Sequence, residues 1–316
     1  MEFKKILITG AAGFIGSHVY DHFSYLYPEA DILILDKMTY AGNIKNIPSC
    51  LTNPKHKLVV GDLIDFDLCI DATRNCDLVI HLAAESHVDN SFQNSIIFSR
   101  SNELGTHTLM EACRQNKVKK IIHVSTDEVY GENIDKPFTE LDPLNPTNPY
   151  AASKAAAEMI VKAYHTSFRL PVIIVRANNI YGIRQYPEKI IPKFLVRAHQ
   201  NLPLEIQGDG SNRRHYLSAI DFSEALGLLS LQAPIGEIYN IASNEELTNL
   251  EVANLIQSHF PAKNIEIVFK ENRPFNDSRY YVNDSKLRLL GWAPKNNIFD
   301  DLKVIKDWYI ANDTWF

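Results

Sequence analysis

A short apolar run, Ile6-Leu7-Ile8-Thr9, breaks directly into Gly10-Ala11-Ala12-Gly13-Phe14-Ile15-Gly16. Between a strand and a helix, glycines at this spacing leave the chain little freedom. The first allows a tight turn, the second lets backbone approach a pyrophosphate, and the third lets the helix pack closely on its strand. The helix that follows opens with unpaired N–H groups and a partial positive charge. Gly10, Gly13, Phe14, Ile15 and Gly16 are therefore read as a dinucleotide cradle, with a plain strand-to-helix turn as the bland alternative.

The next stretches extend this reading. Asp31-Ile32-Leu33-Ile34-Leu35 predicts a second strand ending at Asp36. An acid about 20 residues beyond the glycines binds the adenosine ribose hydroxyls and repels a 2′-phosphate, which favours NAD over NADP. Lys37 beside it is a cation that could tolerate that phosphate. Lys57–Val60 reads as a third strand, followed by Asp62 and Leu63 near the expected adenine edge. Leu78–Leu82 reads as a fourth, and leaves small Ala83 and Ala84 for a cofactor to lie against. A helical pattern over Asn102–Gln115, a strand over Lys120–Val124, a helix over Tyr150–Phe168 and a strand over Pro171–Val175 continue the alternation. Such alternation predicts an α/β fold, a doubly wound parallel-sheet Rossmann domain.

Beyond Arg176 the alternation weakens. Residues 1–178 are assigned to the NAD-binding domain and 179–316 mainly to a smaller C-terminal substrate-binding lobe, with a strand near 238–241 returning to the sheet. Thr248–Phe260 is amphipathic, and Thr248 is placed to cap it as a helix. Leu287–Leu290 reads as a helix closed by Gly291.

Composition narrows the function. A formal net charge of −6 over 316 residues offers no basic surplus for nucleic acid. The four cysteines have no CxxC spacing and are expected to be isolated thiols of a reducing compartment. No apolar run approaches the ~20 residues of a membrane span. The opening residues go straight into a strand without a signal-peptide apolar region, so a cytoplasmic protein is expected. His87 has no second histidine at metal spacing, and no metal site is assigned.

The chemistry concentrates in Ser125-Thr126-Asp127-Glu128-Val129-Tyr130-Gly131, at the carboxyl end of the Lys120–Val124 strand, where ligands bind in an open parallel sheet. Tyr150 and Lys154 stand four apart and so share a helix face. A hydroxyl, two carboxyls, a phenol and an ammonium suit proton transfer and redox chemistry at a sugar carbon. There is one geometric obstacle. Neighbouring side chains on a regular strand point to opposite faces. Asp127 and Glu128 serve one ligand only if the chain leaves strand geometry near Thr126.

Taken together, Gly10 to Gly16, Asp62, Leu82-Ala83-Ala84, Tyr150 with Lys154, and Arg176 with Asn179 resemble an extended short-chain dehydrogenase/reductase. Thr126-Asp127-Glu128, Ala83 to Asp89 and Tyr186 to Pro192 are similar to nucleotide-sugar 4,6-dehydratases of that family. Gly208 to Asn212 and Pro274 to Asp277 follow the dehydratase domain of plant UDP-rhamnose synthases more closely than the bacterial dTDP-glucose enzymes. The resemblance implies NAD as cofactor and UDP-glucose or dTDP-glucose as substrate, in a deoxysugar pathway. It implies Tyr150 as the base at the 4-hydroxyl, Lys154 and the nicotinamide favouring its phenolate, and Lys154 holding the nicotinamide ribose. It further implies Thr126 at the C4 oxygen, Glu128 as the C5 base and Asp127 as the acid for the 6-hydroxyl. Arg214 and Arg273 suit the diphosphate, since arginine binds it bidentately. Ser86, His87, Asn179, Glu188, Lys189 and Asn249 complete the expected substrate contacts, and Leu204 to Ile206 are expected beside the base. A homodimer through the Asn102–Gln115 and Tyr150–Phe168 helices is implied as well. The rival readings are an epimerase or decarboxylase of the same fold, or a non-catalytic NAD-binding scaffold.

Overall fold

Ile6, Leu7 and Ile8 are fully buried, because β1 (Lys5–Thr9) has both faces covered. A computed structural model describes residues 3–315. In it, β1 lies between β2 (Asp31–Asp36) and β4 (Leu78–His81), parallel to both. β3 (His56–Val60) extends one edge, while β5 (Lys120–Thr126), β6 (Val172–Ala177) and β10 (Ile238–Ile241) extend the other. The seven strands run in the order β10-β6-β5-β4-β1-β2-β3, all parallel to their neighbours. Chain direction reverses its spread between β1 and β4, so a crevice opens at their carboxyl ends.

Alternate residues on these strands serve two cores. Ile6, Ile8, Ile80, Ile122 and Val175 pack under the helices Phe14–Leu26 and Ala219–Gln232. Leu7, Val79, Ile121 and Ile174 pack under Gly105–Gln115 and Pro149–Phe168. A third core gathers Tyr181, Phe194, Leu204, Ile206, Tyr216, Val252, Leu302 and Ile305. It underlies a smaller sheet of β7 (Asn179–Tyr181), β9 (Arg213–Ser218) and β11 (Glu246–Thr248), and a pair of β8 (Leu204–Gln207) with β12 (Ile267–Lys270). Residues after 178 thus build this lobe and also send a helix and a strand back to the main sheet.

The expected helix over Asn102–Gln115 is two structures. A π-helical stretch, Ser99–Leu104, precedes the α-helix Gly105–Gln115. The buried Asn102 side chain explains the wide turn, since it bonds Glu85 N–H at 2.8 Å, Glu85 C=O at 3.0 Å and Ser153 Oγ at 2.8 Å. Such bulges favour functional sites, and this one anchors the strand end that carries Ala83 and Ala84. The helix expected before Gly291 is a single turn, Ser285–Arg288. The Thr248 cap forms as a full capping box with Glu251.

Candidate active site

The crevice is a cleft of about 350 Å³. At one end Gly10 has φ 74, and a Cβ there would stand 2.8 Å from Ala83 Cα. A Cβ on Gly16 would fall 2.1 Å from the Gly10 carbonyl oxygen, so the helix–strand contact requires glycine. Gly13 caps the helix Phe14–Leu26 with no side-chain hydrogen bond, which leaves the first-turn N–H groups open for an anion. These features fit a dinucleotide.

Asp36 accepts Ala12 N–H at 2.9 Å and Met38 N–H at 2.8 Å, and burial raises its pKa above the usual carboxylate range. Lys37 is paired with Asp62 at 2.8 Å, so its charge is already engaged. Leu63, Leu82, Ala83 and Ala84 line the same half of the cleft.

At the other half, β5 ends at Thr126 and a 3-10 turn, Asp127–Tyr130, begins. This change of geometry removes the obstacle of opposite faces: Thr126, Asp127 and Glu128 all line the cleft. Thr126 Oγ1 accepts Glu128 N–H at 3.3 Å and donates to Asp127 Oδ1 at 3.2 Å. Burial first, and then the neighbouring Glu128, push Asp127 up to about 7, against the opposing pull of Asn178 and Thr126. Asn178 Nδ2 donates to Asp127 Oδ2 at 2.7 Å. Glu128 Oε2 receives Asn148 Nδ2 at 3.1 Å and lies 3.3 Å from the Tyr280 hydroxyl, whose one proton is shared with Asp277 Oδ2. Asn148 also caps the helix Pro149–Phe168 by accepting Ala151 N–H at 2.9 Å, so one residue fixes both helix start and carboxylate.

Tyr150 and Lys154 are both buried and both reach the cleft. Burial, with Glu128 and Asp127 adding to it, raises the Tyr150 phenol well above its ordinary value. Lys154, expected to favour the phenolate and hold the nicotinamide ribose, stands one helical turn beyond Tyr150. Its ammonium donates to the Val124 carbonyl at 2.7 Å, and burial lowers its pKa to about 8. The helix supplies the shared face, but the lysine stem passes on to β5.

Ser86, Asn179, Glu188 and Lys189 line the cleft. Lys189 Nζ donates to the Ser86 carbonyl at 2.8 Å, and Glu188 accepts the Tyr40 hydroxyl at 3.1 Å. His87, Arg214, Asn249 and Arg273 lie outside the lining residues. His87 caps the short helix Val88–Gln93 through a 3.4 Å contact to Asn90 N–H. Arg214 sits over the Tyr280 ring at 4.4 Å and donates to the carbonyls of Arg213 at 2.7 Å and Asp277 at 2.9 Å. Arg273 reaches Asp89 at 3.4 Å and Asn276 Oδ1 at 2.5 Å. Asn249 opens the helix Asn249–Ser258. Leu204 and Ile206 are buried in the lobe core, with half-buried Glu205 between them.

Asn148, Asn178, Tyr216 and Tyr280 are absent from the sequence-based site. Asn148 had a signal, an Asn before Pro149 at a helix start. Tyr280 arrives from across the lobe with no local signal. Tyr216 places a buried hydroxyl without a partner at the cleft wall. Among the described residues, no cluster of His, Cys, Asp or Glu could hold a metal ion.

Comparison with known proteins agrees with this geometry. A trifunctional UDP-glucose 4,6-dehydratase/UDP-4-keto-6-deoxy-D-glucose 3,5-epimerase/UDP-4-keto-L-rhamnose-reductase of Arabidopsis thaliana is 46% identical over 99% of this chain and 48% of that protein. The chain thus spans about half the length of the curated plant relatives it matches. The dTDP-D-glucose 4,6-dehydratase of Homo sapiens is 39% identical, over 98% of this chain and 91% of its own. The crystal structure of DesIV, a dTDP-glucose 4,6-dehydratase from Streptomyces venezuelae with NAD and TYD bound, superposes with a TM-score of 0.95 at 36% identity, covering 99% and 98% of the two chains. The family model for GDP-mannose 4,6 dehydratase matches residues 7–305, and the chain belongs to that family.

Proposed function

We propose that this chain is an NAD-dependent nucleotide-sugar 4,6-dehydratase that converts UDP-glucose to its 4-keto-6-deoxy product. The observation that carries the reading is the turn after β5, which brings Asp127 and Glu128 to one cleft beside Tyr150. Bound NAD+ would supply the hydride acceptor for C4 and the means of returning hydride to C6. Tyr150 takes the 4-hydroxyl proton. Lys154, one helical turn away, and the positively charged nicotinamide would together favour the phenolate that accepts it. A ketone at C4 acidifies C5, and Glu128, held by Asn148 and Tyr280, removes that proton. Asp127, half protonated near pH 7, delivers its proton to the leaving 6-hydroxyl, and C5 regains a proton from Glu128 as hydride returns to C6.

The preference for UDP-glucose is supported by the plant-like Gly208 to Asn212 and Pro274-Phe275-Asn276-Asp277 and by the plant relatives' name. The proposal covers the dehydratase step alone, in a deoxysugar pathway of the rhamnose type. The lobe from 179 onward is assigned to the sugar nucleotide, with Arg214 and Arg273 closing on its diphosphate after small rearrangements. Exposed Leu104, Met159 and Phe168, on the segments expected to pair, favour a homodimer, which sedimentation would test. No described helix is long and apolar enough to cross a membrane.

Purified protein incubated separately with UDP-glucose and dTDP-glucose tests the function. NMR should show the 4-keto-6-deoxy sugar from both, with the larger kcat/KM for UDP-glucose. A C4 epimer with intact C6 hydroxyl would make the chain an epimerase, and no turnover of either sugar would remove the reading.

A further inference from the structure

The last described residues reach back to the first turn. The helix Ile298–Ala311 belongs to the lobe core through Ile298, Leu302, Ile305 and Tyr309. The segment beyond it crosses to the dinucleotide end. Trp315 Nε1 donates to Asn46 Oδ1 at 2.8 Å, and the Trp315 carbonyl accepts Asn43 Nδ2 at 2.6 Å. The Thr314 carbonyl accepts Lys45 Nζ at 3.1 Å. The indole itself rests edge-on against Trp308, with ring centroids 5.1 Å apart.

Asn46 passes this contact inward. It is fully buried, and its Nδ2 donates to the Ala12 carbonyl at 2.8 Å. That carbonyl also accepts Asn43 N–H at 2.9 Å. The Ala12 N–H is in turn held by Asp36 Oδ2 at 2.9 Å. One run of hydrogen bonds therefore joins the lobe's tail to the middle of the glycine turn and to the ribose-end acid. Thr39, Ala41 and Gly42, in the segment between Asp36 and Asn43, form part of the cleft wall.

We propose that Trp315 is a positioning residue for the dinucleotide: acting through Asn46, it holds Ala12 and the 39–46 segment in place and so retains the cofactor through a whole reaction cycle. This rests on the reading of the cleft as an NAD site. A reaction that oxidises C4 and later reduces C6 within one complex is cut short by any loss of cofactor between the two events. A strap from the substrate lobe to the adenosine end opposes that loss. Trp315 does not line the cleft, so it acts only through the residues it holds.

The test uses the full chain and Trp315→Phe, which keeps an aromatic ring against Trp308 and deletes the indole N–H. Nucleotide carried by each purified protein is extracted and quantified, and its rate of loss on dilution is followed. Removal of one net hydrogen bond corresponds to about fivefold faster release. Turnover of Trp315→Phe should return to the parent's level in saturating NAD+, with KM for UDP-glucose within about twofold. Release within about twofold of the parent overturns the proposal. So does turnover that stays depressed in saturating NAD+ together with a lowered Tm, which would make the tail a stabilising contact alone. A parent that neither carries nor binds NAD would instead sink the reading of the cleft itself.

Discussion

Asp127→Asn should make the protein more stable above neutral pH while slowing elimination. Asp127 is 2% exposed and its folded pKa is about 7, against 3.8 for an ordinary aspartate. The sign follows from linkage. A carboxyl whose pKa is raised on folding binds more protons folded than unfolded. Its stability contribution is complete below the unfolded value and is lost as pH rises through the folded one. Each pKa unit corresponds to ~1.4 kcal/mol, so the cost above pH 7 is roughly 4 kcal/mol at most. Asparagine carries no such cost, and its amide can still accept from Asn178 and donate to Thr126. Thermal melts of parent and variant between pH 4.5 and 8.5 should therefore start near the same Tm gap and diverge as pH rises, the parent losing several degrees relative to the variant. A gap that stays constant across that range, or that narrows at high pH, would refute the assignment of a raised pKa to Asp127. A single turnover followed by NADH absorbance completes the test. C4 oxidation should persist in the variant and C6–O cleavage should slow by at least about a hundredfold, the lower range for general acid catalysis.

Other substitutions separate the remaining roles. Tyr150→Phe should abolish turnover while leaving NAD content unchanged, since it spares the glycine turn; activity within about tenfold of the parent would contradict its role as base. Glu128→Gln should stop exchange of the C5 hydrogen with solvent, which deuterium incorporation in D2O measures. Tyr280→Phe should slow that exchange about fivefold, for one lost hydrogen bond, with C4 oxidation unaffected; equal loss in both steps would make Tyr280 a general packing residue.

The fold was legible where signals are local. Gly10 to Gly16 and the strand–helix alternation through Val175 describe the main sheet, and the return of Ile238–Ile241 is read correctly. The helix Ile298–Ala311 has a local signal too, with Asn297 as cap and apolar Ile298, Leu302, Ile305 and Tyr309 on one face. Leu204 and Ile206 look alike for a core or for a ligand wall, and their place in the third core rests on contacts with distant segments. In the site, the triplet Thr126-Asp127-Glu128 announced its chemistry, whereas the turn that makes it usable depends on β5 ending at Thr126. The direction of Lys154 and the arrival of Tyr280 and Trp315 depend on contacts between distant segments. Sequence spacing is silent on those.

In a closed cycle at one site, hydride taken from C4 returns to C6 of the same sugar. UDP-glucose deuterated at C4, mixed with UDP-glucose carrying a heavy-isotope label at C6, tests it most directly by mass spectrometry of the products. Deuterium is expected at C6 of product molecules that lack the heavy label, and none in molecules that carry it. Deuterium crossing into the heavy-labelled product would mean that cofactor or intermediate leaves the cleft between steps, and would replace the single-site cycle with two separate half-reactions.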